Sequence, residues 1–429
     1  MHERHDADYR IEPPGRIGRM TDPEPIGQHP VPDESKQYLG VLRSALAYAR
    51  ANDYAGWDYV DGMSSKVWNT LSIDYKWANI AFQEVVKRSP PTVRRLLLVE
   101  QHRNYMGGAL FAMANGNLHD LEMATEERST NGVDYLAEMQ RLLDWLVESG
   151  KPGYSGFGVG HQHDVQDLQG FAEANTPDAV VTSHAVKALV RGACLDPDYP
   201  EVARTSADLI FEDLNYREFD DGTARITYSQ NHPERYYTLN AGALGARLLV
   251  DLYDHFGADR YREGARALLD HIVDRQQPVG GWKYRDPPSA SHLSMDTHHN
   301  GFILECLQRY QAVTGERRYE DAIASSLWFH RTVLFDPDGA PNFDEQQSYP
   351  RDSHACAQGI LVFSYAGEFE FARRILEWTL ENLYDGDNRF YFRKTSLYTR
   401  RITLMRWSQA WMAYAISEYL IERTRDRAN

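Results

Sequence analysis

Five short segments decide how this chain is read: Thr182-Ser-His-Ala, Thr238-Leu-Asn-Ala, Thr297-His-His-Asn, Asp352-Ser-His-Ala and Arg406-Trp-Ser-Gln. Their first residues lie 56, 59, 55 and 54 positions apart. Each opens a helical pattern with small and apolar residues on most faces, as in Asn240-Ala-Gly-Ala-Leu-Gly-Ala. A helix apolar nearly all round is buried all round. Each is followed by a more amphipathic, charged helix such as Tyr261-Arg-Glu-Gly-Ala-Arg-Ala-Leu-Leu-Asp. Inner helix, turn and outer helix, recurring about every 55 residues, predict an α/α toroid. A second repeat accompanies the first. Short aromatic segments precede most inner helices: Gly56-Trp-Asp-Tyr, Tyr154-Ser-Gly-Phe, Arg225-Ile-Thr-Tyr, Gly281-Trp-Lys-Tyr and Arg389-Phe-Tyr-Phe.

Outward from these segments, the pattern predicts an all-α (α/α)6 toroid with parallel inner helices, seven pairs being the variant. The helix around Asp74 and Tyr75 fits as an earlier inner helix, two periods before Thr182. Residues 91–149 parse either as one long helix or as a hairpin broken near Tyr105-Met-Gly-Gly. The last inner helix, 402–423, should close the ring beside the first outer helix, 36–51. Residues 1–33 read as a flexible tail, because Pro13, Pro14, Pro23, Pro25, Pro30 and Pro32 block regular structure. Residues 34–429 read as one domain.

Composition narrows the function. The 46 basic and 62 acidic residues leave a net charge of −16, which excludes a nucleic-acid partner. Only eight of the basic residues are lysines. An acidic, lysine-poor surface suits a salt-adapted host, where attraction between exposed charges is screened. No stretch approaches the ~18 apolar residues of a membrane span, and no apolar leader opens the chain, so a cytoplasmic protein is expected. Cys194, Cys306 and Cys356 sit in apolar helical contexts and read as buried free thiols. No zinc-type spacing, phosphate loop, nucleophile elbow or dinucleotide fingerprint occurs, so no cofactor and no metal are expected.

Parallel inner helices would bring their N-termini, each carrying roughly +0.5 charge, to one mouth. His184, Asn240, His299, His354 and Ser408 occupy equivalent repeat positions and should converge there. Asp296-Thr-His-His-Asn places Asp296, His298 and His299 within one turn, with Asp296 a candidate cap. Asp352 repeats that position. Arg406, Trp407 and Gln409 open the last inner helix, and an arginine in such a cavity needs an internal carboxylate or a ligand anion. Tyr75, Lys76 and Tyr237 are weaker candidates for the same wall. Trp57, Tyr59, Phe157, Trp282, Tyr284, Tyr391 and Phe392 offer flat faces for sugar rings, or else pack on one another. His161, His163, Asp164 and Asp167 lie in a Gly-rich loop. They read as a solvated loop, a lid carrying a carboxylate, or, less readily, a metal site.

With these residues assigned, the chain resembles the sugar-active α/α-toroid enzymes: glycoside hydrolases, unsaturated-glucuronyl hydrolases, uronate lyases and sugar epimerases. The Asp296-Thr-His-His-Asn-Gly and Met405-Arg-Trp-Ser-Gln-Ala-Trp stretches, with the salt-adapted composition, look like the AglQ family of haloarchaeal N-glycosylation proteins. That resemblance implies processing of a hexuronic acid in a lipid-linked glycan, with dolichol a candidate carrier. It transfers no catalytic residue.

Three functions follow. In the leading one, the chain epimerises or isomerises a hexuronic acid. Arg406 and the helix N-termini neutralise the carboxylate, and His299 and His354 move the proton with Asp296, Asp352 and Tyr237 in support. Tyr237 or Tyr284 could serve the opposite face. Arg406, Trp407, Gln409, His298, Asn240, His184, Trp282, Tyr284, Asp164, His163 and Trp57 would bind substrate. The second is inverting hydrolysis by a pair from Asp296, Asp352, Asp164 and Asp167, or a lyase reaction. The third is a toroid that binds glycan without turnover.

Overall fold

The computed structural model describes residues 33–125, 132–166, 168, 170–230, 232–233 and 235–428. Of the expected tail, residues 1–33, all but Asp33, which opens the first helix, lie outside the described residues, as does Asp167. Six helices form the inner ring: α5 (Tyr105–Thr125), α7 (Ala179–Arg191), α9 (Leu239–Phe256), α11 (Thr297–Thr314), α13 (Ser353–Tyr365) and α15 (Trp411–Ala428). Each packs on the next, and α15 packs back on α5 to close the ring. Six outer helices complete the pairs: α1 (Asp33–Ala51), α6 (Tyr135–Glu148), α8 (Asp198–Asp208), α10 (Asp259–Asp274), α12 (Glu320–Phe329) and α14 (Phe369–Leu383). The protein is an (α/α)6 toroid. Its first helix serves its last pair: α1 packs on α15, and Gln409 Nε2 donates to the Ala45 carbonyl at 3.1 Å.

Four of the six inner helices start on a side-chain cap. Asn104 accepts from the Gly107 amide, Asp178 from Val180 and Val181, Asp296 from His299, and Asp352 from His354. Each side chain satisfies amides that the first turn leaves open. At the far ends, Gly257 and Gly315 stop α9 and α11 in the left-handed region, at φ 69° and 71°, where a Cβ would be strained. Between cap and stop, α9 buries every residue from Leu239 to Leu252. Outer helices bury one stripe, as α10 does with Leu268, Leu269 and Ile272.

Two expectations need correction. The segment around Asp74 is not an inner helix. α2 (Lys66–Thr70), α3 (Lys76–Arg88) and α4 (Pro91–Leu96) precede the ring. α3 packs on the turn Asp61–Ser64 and the strand Val165–Gln166, leaving Tyr75 60% and Trp77 56% exposed. The first inner helix begins at Tyr105, so the hairpin reading of 91–149 is the right one. Cys194 is exposed, whereas Cys306 and Cys356 are buried as expected.

The inner helices are also less apolar than their patterns suggest. Toward their C-terminal ends, Lys187, Arg247 and Arg309 interleave with Asp251, Asp254 and Glu305, all buried. Glu305 takes Lys187 Nζ at 2.8 Å and Arg247 at 3.2 Å on one oxygen, and Gln358 at 2.9 Å on the other. Three cations meet three carboxylates, so this part of the barrel is filled by a neutral ionic plug. The mouth at the N-terminal ends carries different chemistry.

Candidate functional site

The first turn of α11 sets the geometry. Buried Asp296 uses one oxygen on His298 Nδ1 at 3.0 Å and the other on His299 Nδ1 at 2.7 Å. Burial alone would raise this carboxyl. The charges and hydrogen bonds of His299 and His298 outweigh burial and hold it well below the usual range. With both Nδ1 atoms on a carboxylate, both Nε2 atoms point away from it. Asp296, His298 and His299 have donor atoms within 4.8 Å of one another and are metal-binding residue types. The same atoms hold the two imidazoles on the carboxylate.

His354, at the start of α13, lies 4.9 Å from His298, ring centre to ring centre, and stacks on Trp411 at 4.5 Å. It is buried, and neither of its ring nitrogens has a partner. Burial, then the charges of His298 and Arg406, push its pKa well down, so it is neutral at pH 7. His184 packs edge-on to Trp411 and Phe302, with Nδ1 on the Val180 carbonyl at 2.8 Å. Burial pushes its pKa down to about 4. The equivalent repeat positions 184, 299 and 354 therefore do gather, and His298 joins them. Asn240 is buried, with Oδ1 unpartnered. Ser408 turns back, accepting the Leu404 amide within the π-helical turn Met405–Ala410 that leads into α15. Such turns often mark functional positions.

Arg406 finds an internal partner the sequence did not disclose. Its Nε donates to Asp58 Oδ2 at 2.7 Å, the same oxygen that takes Asn104 Nδ2 at 3.0 Å. Burial would raise Asp58, but the Arg406 charge and hydrogen bond, with the Tyr59 amide, hold it at about 2. Among the described residues the Arg406 NH1 group hydrogen-bonds the Met106 sulfur, at 3.8 Å, and the Arg406 charge also reaches the buried Asp178 carboxyl without a hydrogen bond. One edge of the fork is fixed, and no carboxylate among the described residues hydrogen-bonds the other. Beside it stand His102, His161 and His163. His102 Nε2, His161 Nδ1 and His163 Nδ1 are buried without partners, while His163 Nε2 contacts the Val60 carbonyl at 2.9 Å. Burial, then Arg406, depresses His161 to about 3. Gly160 holds this loop in place. A Cβ there would sit 1.8 Å from the Thr176 carbonyl oxygen, so no larger residue fits.

The other expected site residues divide. Tyr284 reaches the cluster, 4.6 Å from His299. Trp407 lies 5.3 Å from His298 and 4.7 Å from His354, and its Nε1 donates to Asp352 Oδ1 at 2.7 Å. Asp352 also caps α13 and pairs with Arg393, so its oxygens serve the fold. Gln409 is fully buried and bonds the Phe390 amide and the Ala45 and Asn388 carbonyls. Trp282 and Trp57 are buried, with their indole N–H groups on the Ile272 and Val99 carbonyls. They are packing rather than a sugar platform. Asp164 accepts the Ala174 amide within its loop. Lys76 Nζ donates to the Leu168 carbonyl outside the ring. Tyr237 lies against Arg225 and His271, with no ring contact to the histidine cluster.

Sequence reasoning also missed Asp178. Both of its cap bonds use Oδ1, and burial raises its carboxyl to about 7 against those amides. The unfolded carboxyl titrates near 3.8. Between these values the folded chain keeps a proton that the unfolded chain has lost, so stability falls as pH rises from about 4 to about 7. Asparagine keeps the cap without the charge. Asp178→Asn should therefore raise the melting temperature at pH 8 and give no gain at pH 4, measured by thermal denaturation at both pH values.

No protein-family model matches this sequence, and no curated protein matches it either. Solved structures do match in fold. Cellobiose 2-epimerase from Bacillus thermoamylovorans B4167 superposes with a TM-score of 0.59 at 12% identity, over 76% of this chain and 90% of that one. A D-mannose isomerase gives 0.54 at 11%, over 75% and 87%. A polysaccharide lyase gives 0.54 at 9%, over 92% and 99%. At such identities the likeness is one of architecture, the α/α toroid.

Proposed function

We propose that this chain is a carbohydrate-active enzyme that epimerises or isomerises a hexuronic acid residue of a glycan by moving a proton on carbon. The observation that carries the reading is His354: a buried, neutral imidazole with both nitrogens unpartnered, next to an arginine with an open edge. A buried polar group without a partner calls for an explanation, and a reacting ligand is one.

Arg406 acts on two separate groups of histidines, with His354 in one and His161 in the other. In the proposed reaction the uronate carboxylate meets the open edge of Arg406. His354 takes the C5 proton, and the C–H electron pair moves into the carboxylate as an enediolate that Arg406 holds. His161 returns a proton to C5 from the other face. Burial is the larger cause that depresses both histidines; the bound carboxylate offsets the Arg406 charge that adds to it and so favours the imidazolium form of one. The substrate class matches that implied by the resemblance to N-glycosylation proteins, including a lipid-linked form met in the cytoplasm. No helix among the described residues is long and apolar enough to cross a membrane.

Hydrolysis is the second reading, and Asp178 favours it, because a carboxyl raised to about 7 can serve as a general acid. Asp296 cannot, since it is held ionised. Proton NMR of uronate oligosaccharides incubated with the enzyme separates the readings. Epimerisation gives new anomeric signals at constant reducing-end intensity. Growth of reducing ends, with loss of that activity in Asp178→Asn, would replace it with hydrolysis.

A further inference from the structure

A concavity of about 410 Å³ is lined among others by Arg217, Phe219, Arg225, Arg235, Tyr237 and Asp286. Three arginines share one hollow in a chain whose net charge is −16. Arg225 is the informative one. Its guanidinium lies 4.1 Å from the Phe219 ring centre and 5.4 Å from that of Tyr237. Its Nε is buried without a partner, and no carboxylate pairs with it among the described residues. The two carboxylates of the hollow are turned to other groups. Glu218 accepts from the Tyr216 hydroxyl at 3.3 Å, and Asp286 faces Arg275 at 3.1 Å. Among the described residues the nearest carboxylate influence on Arg225 is Asp221, whose pKa the Arg225 charge helps lower without a salt bridge. A cation held between aromatic rings with its Nε unpartnered is arranged for an anion from outside.

The hollow lies close to the histidines. Tyr237–Thr238 pairs antiparallel with Arg285–Asp286. Tyr284, which touches His299, precedes Asp286 by two residues, roughly 7 Å along an extended backbone. We infer that the arginine hollow is a subsite for a second acidic sugar of the same glycan, its carboxylate received by Arg225 while the neighbouring residue occupies the mouth. This deepens the proposed function by making the substrate an oligosaccharide with at least two anionic residues. It also rests on that reading.

The test is isothermal titration of the full-length protein with tetragalacturonate, tetramannuronate and neutral cellotetraose. The inference expects at least one acidic tetramer to bind tenfold or more tightly than cellotetraose. It expects Arg225→Gln to weaken that binding at least tenfold, with an unchanged melting temperature. Arg225→Lys should retain most of the affinity, since it keeps the charge. The His354→Asn variant, in which turnover is expected to fall, should still bind the tetramer. Binding without turnover in the wild type would keep the subsite and remove the proposed reaction. Equal affinity for neutral and acidic tetramers, no binding of either acidic tetramer, or full affinity in a folded Arg225→Gln variant would each overturn the subsite.

Discussion

Replacing His354 by asparagine is expected to lower turnover about 10²–10⁴-fold, the usual contribution of a positioned general base. The fold should survive, because no hydrogen bond to either ring nitrogen is lost. What goes is the stack on Trp411, an aromatic contact of about 0.5–1.5 kcal/mol, the ring contacts to Trp407, Phe302 and His298, and a little volume. Activity and stability therefore separate at this position, which a merely structural histidine would not allow. Asp296→Asn is a graded companion. It breaks the carboxylate's hold on His298 and His299 and should cost about 10–100-fold through their orientation. Steady-state rates on the uronate substrate, beside a thermal melt of each variant, check both. A His354→Asn variant with full turnover would move the base elsewhere, His161 being next to test.

The largest stability effect is expected far from the mouth. Glu305→Ala strips one carboxylate from two buried cations, Lys187 and Arg247, and from the Gln358 amide. Breaking a buried pair by removing one partner typically costs about 3–5 kcal/mol, because the remaining charge stays buried. For a chain of this length that is about 3–6 °C in melting temperature. Lys187→Met should cost less, since Glu305 keeps Arg247 as counterion. The pH dependence has a definite sign. Burial would raise Glu305, yet Lys187 and Arg247 hold it at about 2, below its ordinary 4.5. Its contribution is present above pH 4.5 and is lost as pH falls through about 2. Denaturation curves of the two variants across that range test the ordering.

The closed ring could be read in the sequence because the opening segments of its inner helices recur at nearly constant spacing, and where a cap is present it fixes the helix start. Asp296 and Asp352 marked their helices as the structure has them. The period failed only at the first inner helix. A long connection between Glu148 and Ala179 stretches that repeat, and the next candidate upstream, α3, lies outside the ring. Gathering of the histidines followed from the same register. Their chemistry did not, because it depends on partners set by folding. Arg406 and Asp58 are 348 positions apart, and no local pattern links them. A carboxylate between two aromatic residues, Trp57-Asp58-Tyr59, was the only hint. The ionic plug was hidden for the opposite reason. Single charges spaced along otherwise apolar helices look like exposed edges until three of those helices face one another.

The most direct test of the account is proton exchange at carbon. The protein and a uronate oligosaccharide are incubated in deuterated water, and the sugar is followed by NMR, with His354→Asn alongside. The account predicts deuterium at one sugar carbon in step with epimer formation, and its near disappearance in the variant. Product formed with no deuterium on any carbon, or equal exchange in the variant, would contradict it.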